Sequence, residues 1–170
     1  MRAVQSPVYR GVFGVMYGCG LRVSEAVALR VGDVDSRAMT LRVIGKGNKE
    51  RLVPLTPGLL ADLRAVWKTH RGTPWLFPNR AGADHVATDR VETLLRRLRE
   101  ELGLDPALVP HSLRHGYGTR LLEQGIPIET VRILLGHESI KTTQIYLHLT
   151  EPVRAQVKQA ASAFHVPLFD

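Results

Sequence analysis

The stretch MTLRVIGKGNKERLVPL, residues 39–55, constrains the fold more than any other part of the chain. Apolar and polar side chains alternate on both sides of a Gly-Lys-Gly-Asn tip. A period of two belongs to a strand, and Gly and Asn supply the positive φ that a tight reversal needs. The segment predicts a two-stranded antiparallel hairpin with Lys46 at its turn. Most of the remaining chain has helical spacing instead. The fold class expected is α+β, mainly α-helical, with a small antiparallel β-hairpin or sheet.

Helical spacing starts at Pro7, a tolerated first-turn residue, and GCG stops it at 18–20. Ser24 is the expected cap of a short second helix reaching Leu29, with Glu25 at its positive end, so Arg22 falls in the tight joint between two helices. Beyond the hairpin, GLLADLRAVWKTHRG predicts a helix, PWLFP a short extended piece, and VATDRVETLLRRLREELG a helix closed by Gly103. Further helices are expected over 111–124, 127–135, 139–149 and 151 to about 163, joined by short Gly or Pro connections.

A length of 170 residues with 44% hydrophobic content suits one domain with one ordinary core. Lys and Arg together number 23 against 16 acidic residues, and the net charge of +7 favours a polyanionic partner, with nucleic acid the first choice. Charged or Gly residues break every apolar run well before the ~18 residues a membrane span requires. The opening MRAVQSPVYRG has no apolar signal core, and together these features predict a cytoplasmic protein without membrane association. Cys19 is the single cysteine, which excludes a disulfide scaffold and a Cys-rich zinc site and leaves a buried thiol as its expected state.

His111 and Arg114 are three apart in HSLRH and share a helix face, where both can reach one phosphate or simply sit as a solvated Arg beside a half-buried His. A metal site is not expected: His111 with His115 lacks a third ligand, and in HESIK Lys141 stands where a zinc protease needs its second His. GKGNKER has neither the spacing nor the Ser/Thr of a nucleotide-binding loop, so Lys46 is either an exposed hairpin lysine or a mobile cation over a bound phosphate. No Ser-His-Asp or Cys-His-Asn arrangement is legible, and the carboxylates are scattered singly. What accumulates is cations and one phenol: Arg22, Lys46, His111, Arg114, His137 and Tyr146.

Four segments, YGCGLRVSEAVALRVGDVD, VIGKGNKERLVPL, HSLRHGYGTRLLEQG and LLGHESIKTTQIYLHL, resemble the catalytic domain of the tyrosine recombinases, the phage-integrase and Xer family, across nearly the whole chain. The resemblance implies the tyrosine-recombinase catalytic fold over 1–170, with a C-terminal tail from about 164. It implies a site-specific recombinase or integrase acting on double-stranded DNA by transesterification, through a 3′-phosphotyrosine intermediate and without a cofactor. By the same resemblance Tyr146 is the nucleophile, His111 the proton acceptor, Arg22 and Arg114 the phosphate clamp, Lys46 the general acid and His137 a phosphate hydrogen-bond donor. A phenol of pKa about 10 needs such a cationic field to ionise cheaply, and planar guanidiniums suit the charge that develops on the phosphate oxygens. Glu25 resembles a supporting acidic residue that orients its neighbours, and it reads equally as a helix-start charge.

Two classes compete with the recombinase: a catalytically silent DNA-binding remnant, and a type IB topoisomerase-like enzyme with a similar pocket. Family members usually carry a helical clamp domain ahead of the catalytic one; Met1 stands so close to Arg22 that the clamp is expected to be absent, and DNA binding to be weak and poorly selective. Base contacts are expected from within 86–102. The apolar tail FHVPLFD is expected either to join copies into a tetramer on DNA or to pack on its own domain. In HGYGT, Gly116, Tyr117 and Gly118 stand where the family more often has Ser, Phe and Ala; at about 1 kcal/mol per interior Gly, the helix carrying Arg114 is expected to be less rigid.

Overall fold

The computed structural model describes residues 4–136 and 151–163. Its elements are α1 (Pro7–Gly18), α2 (Val23–Val27), β1 (Val34–Asp35), β2 (Thr40–Ile44), β3 (Glu50–Pro54), α3 (Pro57–Lys68), α4 (Thr88–Glu101), α5 (Pro110–Glu123), α6 (Ile128–Leu135) and α7 (Glu151–Ala163). The expected helix over 139–149 and the tail from 164 lie outside the described residues.

The hairpin forms as its alternation requires. β2 and β3 pair antiparallel with Val43 opposite Arg51 and Leu41 opposite Val53, and Gly47 (φ 73°) and Asn48 (φ 57°) turn the chain. The sheet has three strands rather than two, because β1 adds to the outer edge of β2 through Val34–Leu41 and Asp35–Thr40. Two residues are too few to show a period, so nothing in the local pattern announces β1.

α2 starts at Val23, with Arg22 and not Ser24 at the capping position. The free N–H of Arg22 donates to the Glu25 carboxylate at 2.8 Å, so the cap comes from inside the helix. α3 starts conventionally, with Thr56 Oγ1 accepting from the Leu59 N–H at 3.2 Å and Pro57 in the first turn. The PWLFP piece is not one extended run: it bends between isolated antiparallel bridges at Trp75 with Arg30 and Pro78 with His85, and Leu76 N–H donates to the Leu29 carbonyl and Val31 N–H to that of Pro74, both at 2.9 Å. α4 buries Val91, Leu95 and Leu98 on one face and exposes Arg90, Arg96 and Arg97 on the other.

The apolar interior falls into two clusters among the described residues. The larger joins α1, α2, the sheet, α3 and α4 around Val12, Met16, Leu41, Leu63 and Phe77. The smaller joins α5, α6 and α7 around Tyr117, Leu121, Leu134 and Val157. Cys19 is buried as expected, and that burial pushes its thiol up to about 12 against the opposing charge of Arg51. No helix among the described residues is long and apolar enough to cross a membrane.

Candidate active site

The site lies where the two clusters meet. Gly20, just past α1, has φ +65°, and a Cβ there would stand 2.5 Å from Tyr117 Cδ1 and 2.8 Å from Leu135 Cδ2. Only glycine lets the α1–α2 joint run this close to α5 and α6. The Gly20 carbonyl then accepts from Arg114 Nη1 at 2.7 Å, so the joint that carries Arg22 is bonded directly to Arg114.

Arg114 is 1% exposed, and its other Nη donates to the Leu135 carbonyl at the end of α6. Burial lowers its pKa to about 10, aided by the charges of Arg22 and Arg51 and opposed by Glu25. It stays a cation at neutral pH.

Glu25 collects the arginines. Arg22 Nη1 donates to its Oε1 at 2.9 Å, Arg51 Nη1 and Nη2 reach its two oxygens at 2.8 and 2.7 Å, and Arg114 Nη1 lies 3.7 Å from Oε2. Burial alone would raise the carboxyl's pKa, but the hydrogen bonds and charge of Arg51, the Arg22 N–H and the charge of Arg114 together hold it below the ordinary carboxylate range. Glu25 both caps α2 and bonds the guanidiniums of Arg22 and Arg51. Arg22 keeps 41% of its side chain exposed, so one edge is tethered and the rest faces outward.

Arg114 and exposed His111 line one groove of about 510 Å³ between α5 and α6, with His115, Thr119, Leu122 and Ile128. The i, i+3 spacing in HSLRH thus delivers both side chains to one face. The Gly-containing helix is continuous, and Gly118 is a close-packing position, since a Cβ there would meet Leu135 Cδ1 at 3.2 Å; Gly116 faces open space. Lys46 sits at the hairpin turn, but its side chain, like all of His137 and Tyr146, lies outside the described residues. Among the described residues no cluster of three or more His, Cys, Asp or Glu is placed to hold a metal ion.

Arg51 is the site residue that sequence reasoning missed. Its signal was present: in ERLVPL it shares the inward phase of Val53 and Leu55, and a charge on the apolar face of a strand demands a buried partner.

A profile of the phage integrase family matches residues 2–152. Tyrosine recombinase XerC of Rhodospirillum centenum is 42% identical over 142 residues, covering 81% of this chain and 41% of the relative. Tyrosine recombinase XerD of Pseudomonas putida is 37% identical over 166 residues, covering 92% of this chain and 53% of the relative. Among solved structures, the integrase from mycobacterium phage Brujita superposes with TM-score 0.74 at 26% identity, over 99% of this chain and 56% of that one. XerH site-specific recombinase bound to difH substrate, in a pre-cleavage complex, gives TM-score 0.68 at 25% identity, over 92% of this chain and 46% of that one. The chain spans about half the length of the relatives it matches.

Proposed function

This chain belongs to the phage integrase family, and we propose that it is the strand-cutting and rejoining domain of a site-specific tyrosine recombinase acting on double-stranded DNA. The observation that carries the proposal is the single carboxylate, Glu25, holding Arg22 and Arg114 together beside a groove that also contains His111. A buried carboxylate stabilises two converging cations; the outward edge of Arg22 suits a non-bridging phosphate oxygen, and Arg114 lends its charge from the groove wall.

In the proposed reaction the Tyr146 hydroxyl oxygen attacks the phosphorus and its proton passes to His111. The bond from phosphorus to the 5′-oxygen breaks as that oxygen takes a proton from Lys46, giving a 3′-phosphotyrosine and a free 5′-hydroxyl. Attack by a second strand's 5′-hydroxyl reverses these steps, so the ester is conserved and neither water nor a nucleotide is consumed. Arg22 and Arg114 stabilise the charge on the phosphate oxygens, and His137 adds a hydrogen bond. The net charge of +7 supports a nucleic-acid partner. Assembly of copies on DNA through 164–170 belongs to the same proposal, and sizing the DNA complex of a chain cut after Ala163 tests it.

The main test is trapping. Incubation with nicked duplexes that lose a short leaving fragment on cleavage is expected to give a denaturant-stable protein–DNA adduct, absent from Tyr146→Phe. DNA binding with no adduct at low salt would favour the catalytically silent remnant.

A further inference from the structure

We propose that Arg51 is a positioning residue for the site: its guanidinium locks the Glu25 carboxylate to the end of α6 and thereby sets Arg22 and Arg114 for strand cleavage. This inference rests on the recombinase reading of the preceding section. Arg51 lies on β3, and its side chain is 4% exposed. It does not line the groove that holds His111 and Arg114, so it acts through other groups rather than on DNA.

Three of its N–H groups are assigned. Nη1 and Nη2 take the two Glu25 oxygens at 2.8 and 2.7 Å, and Nε donates to the Leu134 carbonyl at 2.9 Å. A forked donor fixes the carboxylate plane as well as its position, which a lysine ammonium cannot do. That plane decides where Glu25 holds Arg22 Nη1 at 2.9 Å and Arg114 Nη1 at 3.7 Å. The third bond ties the same guanidinium to α6, whose C-cap Gly136 adopts φ +66° directly before His137. A Cβ at Gly136 would stand 3.1–3.3 Å from Arg51 Cδ, Nη1 and Nε, so glycine there also makes room for the arginine. Arg51 follows Lys46 by five positions on the same hairpin. One enclosed side chain therefore links the α1–α2 joint that carries Arg22, the hairpin, Arg114 on α5 and the end of α6.

The charged groups that the structure sets against Glu25 are Arg22 from the α1–α2 joint, Arg51 from β3 and Arg114 from α5. Burial already works to neutralise Glu25, and Arg51 is the strongest opposing influence. Weakening that fork raises the pH at which Glu25 takes up a proton.

The test uses the full chain and its Arg51→Lys and Arg51→Met variants. Arg51→Lys keeps a cation and serves if Arg51→Met does not fold. Adduct formation on nicked duplexes is followed across DNA concentration, and the Glu25 carboxyl is titrated by carbon-13 NMR. For Arg51→Lys the maximal rate is expected to fall about tenfold or more while half-saturation moves within about threefold, the pattern of lost alignment rather than lost binding. The Glu25 midpoint and the acid limb of the rate profile are both expected to move to higher pH. A parental rate in Arg51→Lys, or a loss explained wholly by weaker DNA binding, overturns the proposal. If the parent itself forms no adduct, the recombinase reading has failed separately; the Glu25 titration then decides, and an unmoved midpoint overturns the role of Arg51.

Discussion

The two faces of the β2–β3 hairpin carry the same chemistry in opposite surroundings. On the outer face Arg42 bonds Asp33 at 3.0 and 2.7 Å and Glu50 at 3.1 Å, with 45% of its side chain exposed. On the inner face Arg51 bonds Glu25 at 2.8 and 2.7 Å with 4% exposed. The distances hardly differ. Water screens Arg42 and Glu50, and the buried Asp33 carboxylate keeps the Arg30 N–H at 2.8 Å when Arg42 is removed, whereas on the inner face cation and carboxylate have both given up hydration and depend on one another. The outer pair keeps its cation in water, while the inner pair is enclosed beside Arg22 and Arg114.

The largest expected effect breaks the inner pair. Arg51→Met should cost about 3–5 kcal/mol in urea unfolding, since it leaves Glu25 charged and short of its main partner, while Arg42→Ala should cost about 1 kcal/mol or less. Equal losses from the two variants would remove solvent exposure as the distinction between the faces. Next comes Gly20→Ala, which leaves both networks' side chains in place but forces a Cβ into the left-handed region and onto Tyr117. The backbone alone should cost about 1–2 kcal/mol, and adduct formation should fall with it if the Gly20–Arg114 bond aligns the site.

Acid titration sharpens the contrast further. Glu25 has a folded pKa below its unfolded value, so its contribution to stability is complete above the unfolded value of about 4.3 and is lost as pH falls through the lower folded value. The stability gap between the parent and Glu25→Gln, measured by thermal melts, should therefore be widest above pH ~5 and narrow as pH falls below the unfolded value. The smallest effect is a control that touches neither face. Gly116→Ala, which points into open space on α5, should stabilise the chain by about 0.5–1 kcal/mol with adduct formation unchanged.

Local patterns made much of this legible. The alternation in 39–55 predicted the β2–β3 hairpin with Lys46 at its turn, and the helical spacings predicted α1 and α3 to α7 to within a few residues. They gave no sign of β1, whose existence depends on an edge of β2 being available, or of Arg22 replacing Ser24 as the cap, which depends on Glu25 bending back to the joint. His111 and Arg114 were found because helix geometry places i and i+3 together. The strand period places Arg51 on the inward face, but its partner is 26 residues away in sequence and no local period identifies it.

By itself, the sequence determined which residue types are present and the periodicities that make each helix and hairpin, because both depend on neighbours only a few positions apart. It also carried the ordered motifs by which the chain resembles tyrosine recombinases. Tertiary structure alone decided that Arg51 of β3 and Arg114 of α5 join Arg22 at the one carboxylate of Glu25, and that ion pairs of nearly identical length on two faces of one hairpin sit in different surroundings. The physical reason is dielectric: the strength of a charge interaction is set by what surrounds it, and only folding determines which charges leave water together.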